Sequence, residues 1–338
     1  MLRPENPEQL AALLREAACA HQTIRLGGNF SKDCLGGLPA SADVTISTSS
    51  MNRLLQYEPR DLTISVEAGM PFAELVRTLA VHNQMLPLDP PWLHESTVGG
   101  VLASNLSGPR RRLYGTARDM VIGMTFATLE GKLINSGGMV VKNVAGLDMA
   151  KLMIGSFGTL AAIATVNFKV YPAPVASRTF VMEFATAAEA FAERDRILGT
   201  VLQPSAIDIV NWPRGYRLLI GAGGNNAVLD RYARELPLAR MEDDGAWDPI
   251  CEFPRRFFIT NPGAKVVPMT MHLSEMGAIA EELAVPFIAR AGSGVIYAYY
   301  IKDAPETPLA SDFATMTKVK DMFDPERLLN RGRLYGRI

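Results

Sequence analysis

The segment Leu86–Gly115, LPLDPPWLHESTVGGVLASNLSGPRRRLYG, restricts what this chain can fold into more than any other. A proline-rich approach runs into Thr97-Val98-Gly99-Gly100, then small residues, then Arg110-Arg111-Arg112-Leu113-Tyr114-Gly115. Glycines and small side chains let backbone N–H groups come close to a bound anion, and only glycine accepts the φ > 0 geometry such loops often need. A second small-residue loop, Gly27-Gly28-Asn29-Phe30-Ser31-Lys32, follows a short strand upstream. In isolation that loop fits a phosphate cradle and an ordinary strand–turn connection alike. Together the two loops can grip a long phosphorylated dinucleotide.

The surrounding pattern is α+β. Asn6 is placed to cap a helix, with Pro7 at its first position, Gln9 completing a capping box and Leu10, Leu13, Leu14 and Ala17 on one stripe. Between Asp61 and Gly69, Leu62, Ile64, Val66 and Ala68 alternate with polar residues, which predicts a half-buried strand. An amphipathic helix follows through Phe72, Leu75, Val76 and Leu79. Strands are expected at Val121–Leu129, Lys132–Ile134 and through Val166, Phe168 and Val170, with Pro172 and Pro174 as a linker. From Ala176 to about Asp312 the pattern predicts a smaller lobe, an antiparallel sheet with helices on one face. Phe323–Asn330 reads as a short helix, and Arg331–Tyr335 as a closing turn.

Composition excludes several classes. The formal net charge of -1 gives no pull toward nucleic acid or acidic lipid. No apolar run reaches membrane-spanning length and the N-terminus has no signal-peptide core, so a cytoplasmic protein is expected. Cys19, Cys34 and Cys251 are far apart, and His21, His82, His94 and His272 show no ligand spacing, so no metal site is expected. The cysteines are expected to be buried free thiols. Any iron–sulfur cluster serving this protein must sit on another chain.

Other constellations have competing readings. Gly221-Ala222-Gly223-Gly224 follows a strand but lacks the third glycine of a dinucleotide fingerprint, since position 226 is Asn226; a turn within the lobe is expected. Arg110–Arg112 and Arg118 suit phosphate, a substrate carboxylate, an acidic partner or a solvated face, and Asp119 is placed to pair locally. For His94, inside the opening segment, a general-base role and an exposed loop position are both open, and His272 is the other candidate base. No Ser/His/Asp arrangement is evident.

Arg25–Lys32, Gln84–Pro91, Thr97–Gly115, Arg118-Asp119, Val140–Asp148, Gly155–Ile163 and Asn330–Tyr335 resemble, in this order, the PCMH-type FAD domain of vanillyl-alcohol oxidase and p-cresol methylhydroxylase. Within that family the chain is similar to the small FAD-binding subunits of bacterial glycolate oxidases. The resemblance implies an FAD domain at 1–172 (α+β subdomains about 1–85 and 86–172), an α+β cap lobe at 176–312 and a C-terminal return at 313–338. It implies that Gly27, Gly28, Asn29, Phe30, Ser31 and Lys32 wrap the FAD pyrophosphate. Thr97, Gly99, Gly100, Ala103, Asn105 and Gly108 would line the flavin side, with Tyr114 and Gly115 beyond them, Pro90 also binding cofactor, and Gly158, Ile163 and Asn330 approaching from later elements. It further implies a 2-hydroxy acid substrate, a larger FAD-binding subunit and an iron–sulfur subunit as partners, and peripheral inner-membrane attachment through them.

The chain departs from the family at several points. Phe157 and Ala161 interrupt the Gly-Ser-Glu-Gly-Thr-Leu-Gly pattern and remove a carboxylate, and Arg331 replaces a proline. The first loop has no histidine for a covalent flavin bond, so noncovalent FAD is expected. The cap lacks the histidine-rich substrate motif of the larger dehydrogenases.

Overall fold

The computed structural model describes residues 1–139, 147–306 and 311–338. Most of the Val140–Asp148 motif therefore lies outside the described residues. The first helix, Pro7–Cys19, is capped by Asn6, whose side chain accepts the Gln9 N–H at 2.8 Å, while Gln9 Oε1 accepts the Glu5 N–H at 2.8 Å. Its buried face of Leu10, Ala11, Leu14 and Ala17 packs on Ile24, Leu26, Ile46, Ala162 and Ala164. The strand Ile24–Gly27 pairs in parallel with Val44–Ser47 and meets Leu329 of the C-terminal return at its other edge.

A five-stranded sheet takes the order Leu54–Glu58, Thr63–Glu67, Ala162–Lys169, Val121–Ala127, Leu133–Gly137. Its strands come from both sides of residue 86, joined where Thr63–Glu67 pairs antiparallel with Ala162–Lys169. Thr63–Glu67 is buried at every position rather than half-buried. Its polar face is covered by partners: Ser65 Oγ lies 2.7 Å from Asn167 Oδ1, and the Arg53 guanidinium donates to Glu67 at 2.7 Å. In the helix Phe72–Ala80 the residues Phe72, Leu75 and Leu79 are buried, whereas Val76 faces out.

The second sheet has seven antiparallel strands between Ala176 and Tyr300. The helices Ala187–Leu198, Asn226–Glu235 and Met276–Glu282 cover one face. The opposite face is not bare, which corrects the expected one-sided arrangement. The helix Asp248–Thr260 lies there, with Ile250, Phe257 and Phe258 between the sheet residues Val210, Leu219, Ile288 and Tyr299 and the N-terminal region's Leu35 and Trp92. Sequence pattern missed this helix because Pro254 interrupts its periodicity, although Pro249 suits its first turn.

Three further expectations are corrected. Gly221–Gly224 is the end of the strand Tyr216–Gly224, not a turn, because Ala176–Phe184 pairs along its whole length. The helix expected at Phe323–Asn330 instead spans Phe313–Phe323, since Asp324 precedes Pro325 and that junction disfavours helix, and the expected closing turn runs into a one-turn helix, Arg333–Gly336. Cys19 is exposed and Cys34 and Cys251 half-buried; all three are free thiols.

Candidate functional site

The strand Ile24–Gly27 delivers its chain into a cleft lined by Leu26, the Gly27–Asp33 loop, Thr97, Gly100, Ala103, Ser104, Phe157 and Arg333. The loop's carbonyls are turned back into the protein: Ser47 Oγ donates to Gly28 O at 2.8 Å and Thr48 Oγ1 to Gly27 O at 3.4 Å. Asn29 Nδ2 anchors the loop to Glu95 O at 3.1 Å. The peptide N–H groups of Gly28, Asn29, Phe30, Ser31 and Lys32 take no protein acceptor among the described residues. Successive amides left free in this way form an anion-binding concavity. Phe30, at φ 56°, turns the loop through the left-handed region under the Arg25 guanidinium, 4.6 Å above its ring.

Lys32 adds charge to this concavity. Its side chain is buried, 8% exposed, and Nζ reaches Ser96 Oγ and, at 3.5 Å, Ser31 Oγ. No carboxylate comes within ion-pair distance of it among the described residues. Burial pushes the ammonium down to about 8, opposed in part by Cys34 and Glu95. An anion brought to such a position stabilises the ammonium further.

Arg25, Arg333, Arg110, Arg112 and Arg118 are already engaged. Asp33 is held by Arg25 and by Arg333, whose Nη1 also donates to Leu35 O at 2.8 Å and Gly37 O at 3.0 Å. Arg110 pairs with Asp89, and its Nε donates to the carboxylate at 2.9 Å. Arg112 donates to Pro204 O and Arg118 to Lys151 O, so both tie segments together. Asp119 completes the Thr116 capping box rather than pairing with Arg118.

The diglycine Gly99-Gly100 splits into two roles. A Cβ on Gly99 would lie 2.9 Å from Ala68 Cβ, whereas one on Gly100 would meet only Thr97 Oγ1, at 3.2 Å, and project into the cleft. Gly28 packs on Thr97 so closely that a Cβ would sit 2.1 Å from its hydroxyl. Of the residues singled out in the sequence, Gly27 to Lys32, Thr97, Gly100 and Ala103 come together in the cleft; Phe157 and Arg333 join them.

The remaining ones build its frame. Gly108 packs against Asp89, and Gly115, at φ 82°, against Asp119. Tyr114 meets Tyr171 edge-on at 5.2 Å; Pro90 and Ile163 are buried, and Asn105 ends the Val98–Ser104 helix in left-handed geometry. Asn330 clasps the floor: Oδ1 accepts the Leu26 N–H at 2.7 Å and Nδ2 donates to Phe157 O at 2.7 Å, with Gly158 directly beneath. His94 and His272 are both exposed and do not line the cleft.

A larger cavity of about 500 Å³ lies behind the Gly155–Leu160 turn, against the C-terminal helix. Neither it nor the cleft takes a lining residue from the seven-stranded sheet. Between that sheet and the cleft stands the Asp248–Thr260 helix, where Phe258 stacks on Trp92 at 6.3 Å and Arg255 pairs with Glu95 at 2.6 Å.

Comparison with known proteins is consistent with this arrangement. The family model described as "FAD binding domain" matches residues 1–137. Glycolate oxidase subunit GlcE of Escherichia coli (strain K12) is 30% identical over an alignment spanning 100% of both chains. Glycolate oxidase subunit GlcD of Bacillus subtilis (strain 168) is 26% identical over 63% of this chain and 45% of its own length. D-lactate dehydrogenase of Anaerostipes hadrus is 29% identical over 62% and 44%. A solved structure of alkyldihydroxyacetonephosphate synthase superposes with a TM-score of 0.76 over 97% of this chain and 76% of its own. At 18% identity that likeness is one of fold.

Proposed function

This chain belongs to the FAD binding domain family, and we propose that it is the small flavin subunit of a complex that oxidises 2-hydroxy acids such as glycolate. The observation that carries this reading is the run of amides from Gly28 to Lys32 left free among the described residues, beside a buried Lys32 that has no carboxylate in ion-pair distance there. That donor set suits the pyrophosphate of FAD, which needs several N–H donors and a compensating charge. Gly100 and Ala103 keep the adjoining wall low enough for the cofactor to lie along it, and Phe157 supplies an apolar surface. Asn330, Gly158, Gly108, Gly115, Tyr114, Asn105, Pro90, Ile163 and Gly99 hold that wall in position. The loop offers no histidine, so FAD is held noncovalently. Bound FAD supplies a two-electron acceptor.

The Asp248–Thr260 helix favours a relay role for that flavin. Its aromatic side chains fill the space between the seven-stranded sheet and the cleft, where a hydroxy acid would otherwise be received. The acid is then oxidised on a larger flavin subunit, and electrons leave through an iron–sulfur subunit. The three separated cysteines of this chain offer no cluster ligands of their own. No described helix is long and apolar enough to cross a membrane, so attachment at the inner membrane would run through the partners.

Anaerobic absorbance spectra test the reading. The purified chain should carry flavin that dithionite bleaches and glycolate or D-lactate does not, while the assembled complex is bleached by the acid. Bleaching of the isolated chain by either acid would assign it complete catalysis, and purification without flavin would reduce it to an assembly subunit.

A further inference from the structure

Lys32 is a buried lysine with no carboxylate in ion-pair distance among the described residues. Its neighbours are Asp33 and Cys34 on its own loop, Glu95 ahead of the Val98–Ser104 helix, Arg25 on the preceding strand and Arg333 from the C-terminal return. Asp33 is shared by Arg25 and Arg333, and Glu95 is paired with Arg255, so both carboxylates are committed elsewhere. The Cys34 thiol is pushed up to about 11 by burial and stays neutral through the physiological range.

We infer that Lys32 holds its proton in the filled site, so that on the alkaline side of neutrality this subunit binds the dinucleotide's pyrophosphate together with H⁺ and discriminates against flavins that lack it. The inference rests on the cofactor placement proposed above. With the cleft free of anion, desolvation makes the ammonium easier to deprotonate than that of an exposed lysine. An incoming diphosphate replaces the missing water and counter-charge at once, which favours the ammonium.

The sign follows from linkage. The amine titrates at about 8 in the free protein and higher in the complex. Affinity is therefore constant below pH 8 and falls by about tenfold per pH unit above it, until the raised value is reached. A neutral ligand in the same cleft gains nothing from the proton. The site thus selects FAD or ADP over riboflavin most strongly at neutral pH, and the preference fades in alkali.

The test uses the full chain stripped of flavin and titrated with FAD, ADP and riboflavin from pH 7 to 9.5. Binding is followed by flavin fluorescence and by calorimetry in HEPES and in Tris. FAD and ADP should lose affinity above pH 8 and take up about half a proton each at that pH, whereas riboflavin should do neither. Lys32→Met should bind FAD weakly with a flat pH profile. Lys32→Arg, which keeps its charge throughout the window, should bind FAD with a flat profile and no proton uptake. A flat wild-type profile, or a Met variant with the wild-type slope, would overturn the inference. Failure of wild type to bind FAD at any pH would instead overturn the cofactor assignment itself.

Discussion

Neighbouring glycines at 99 and 100 carry opposite duties, and substitution separates them. Gly99→Val drives a branched side chain into Ala68 and should destabilise the fold by about 1–3 kcal/mol, as overpacking does. Gly100→Val meets only the Thr97 hydroxyl, so the fold should persist while the side chain stands in the cleft. Thermal melts and the flavin-to-protein absorbance ratio distinguish the two. A Gly100→Val protein that keeps its full FAD complement would show that the cofactor does not lie against this wall. At this scale much was legible in sequence: the small-residue loops marked the cleft's residues because only small residues permit close backbone approach. Phe157 and Arg333 were not assigned to it, since an aromatic ring and a lone arginine carry no spacing signal. His94 was ambiguous for the same reason; its exposure predicts that His94→Gln changes stability by no more than about 0.5 kcal/mol.

At the scale of elements, a buried pair anchors the helix that leads into the C-terminal return. Lys320 Nζ donates to Asp324 Oδ2 at 2.5 Å and to Thr159 O at 2.7 Å, while the same carboxylate accepts the N–H groups of Leu328 and Leu329 at 2.8 Å each. The helix Phe313–Phe323 is thereby tied to the turn that carries Phe157. Removing one member of a buried pair leaves the other uncompensated, so Lys320→Met should cost about 3–5 kcal/mol, read from denaturant unfolding. A loss below about 1 kcal/mol would mean that water enters and replaces the amine. A helix start with a cap residue was readable, as at Asn6. The misplaced C-terminal helix and the unrecognised Asp248–Thr260 helix share a cause. Proline blurs periodicity, and the side chains that stabilise each helix are supplied by distant segments.

Across the whole molecule, the Asp248–Thr260 helix is both wedge and fastener. It buries aromatic residues against the seven-stranded sheet on one side and against Trp92 and Leu35 on the other. Phe258→Ala should destabilise by about 3–5 kcal/mol through cavity formation. The same change should make the flavin accessible to a small quencher such as iodide. Unchanged quenching would place the flavin ring away from the wedge and weaken the argument for a relay.

The local sequence by itself determined the α+β class, the two small-residue loops and a sheet beginning near Ala176, because these rest on side-chain period and backbone permissiveness, which are local properties. Only tertiary structure decided which loop atoms are free to bind. The amides of Gly28 to Lys32 are available because Ser47, Thr48 and Asn330 engage the surrounding backbone from distant positions. It also decided that Lys32 has no carboxylate in ion-pair distance among the described residues and that an aromatic helix fills the space beneath the second sheet. Burial and charge balance depend on what long-range folding brings alongside a residue, and no spacing along the chain encodes that.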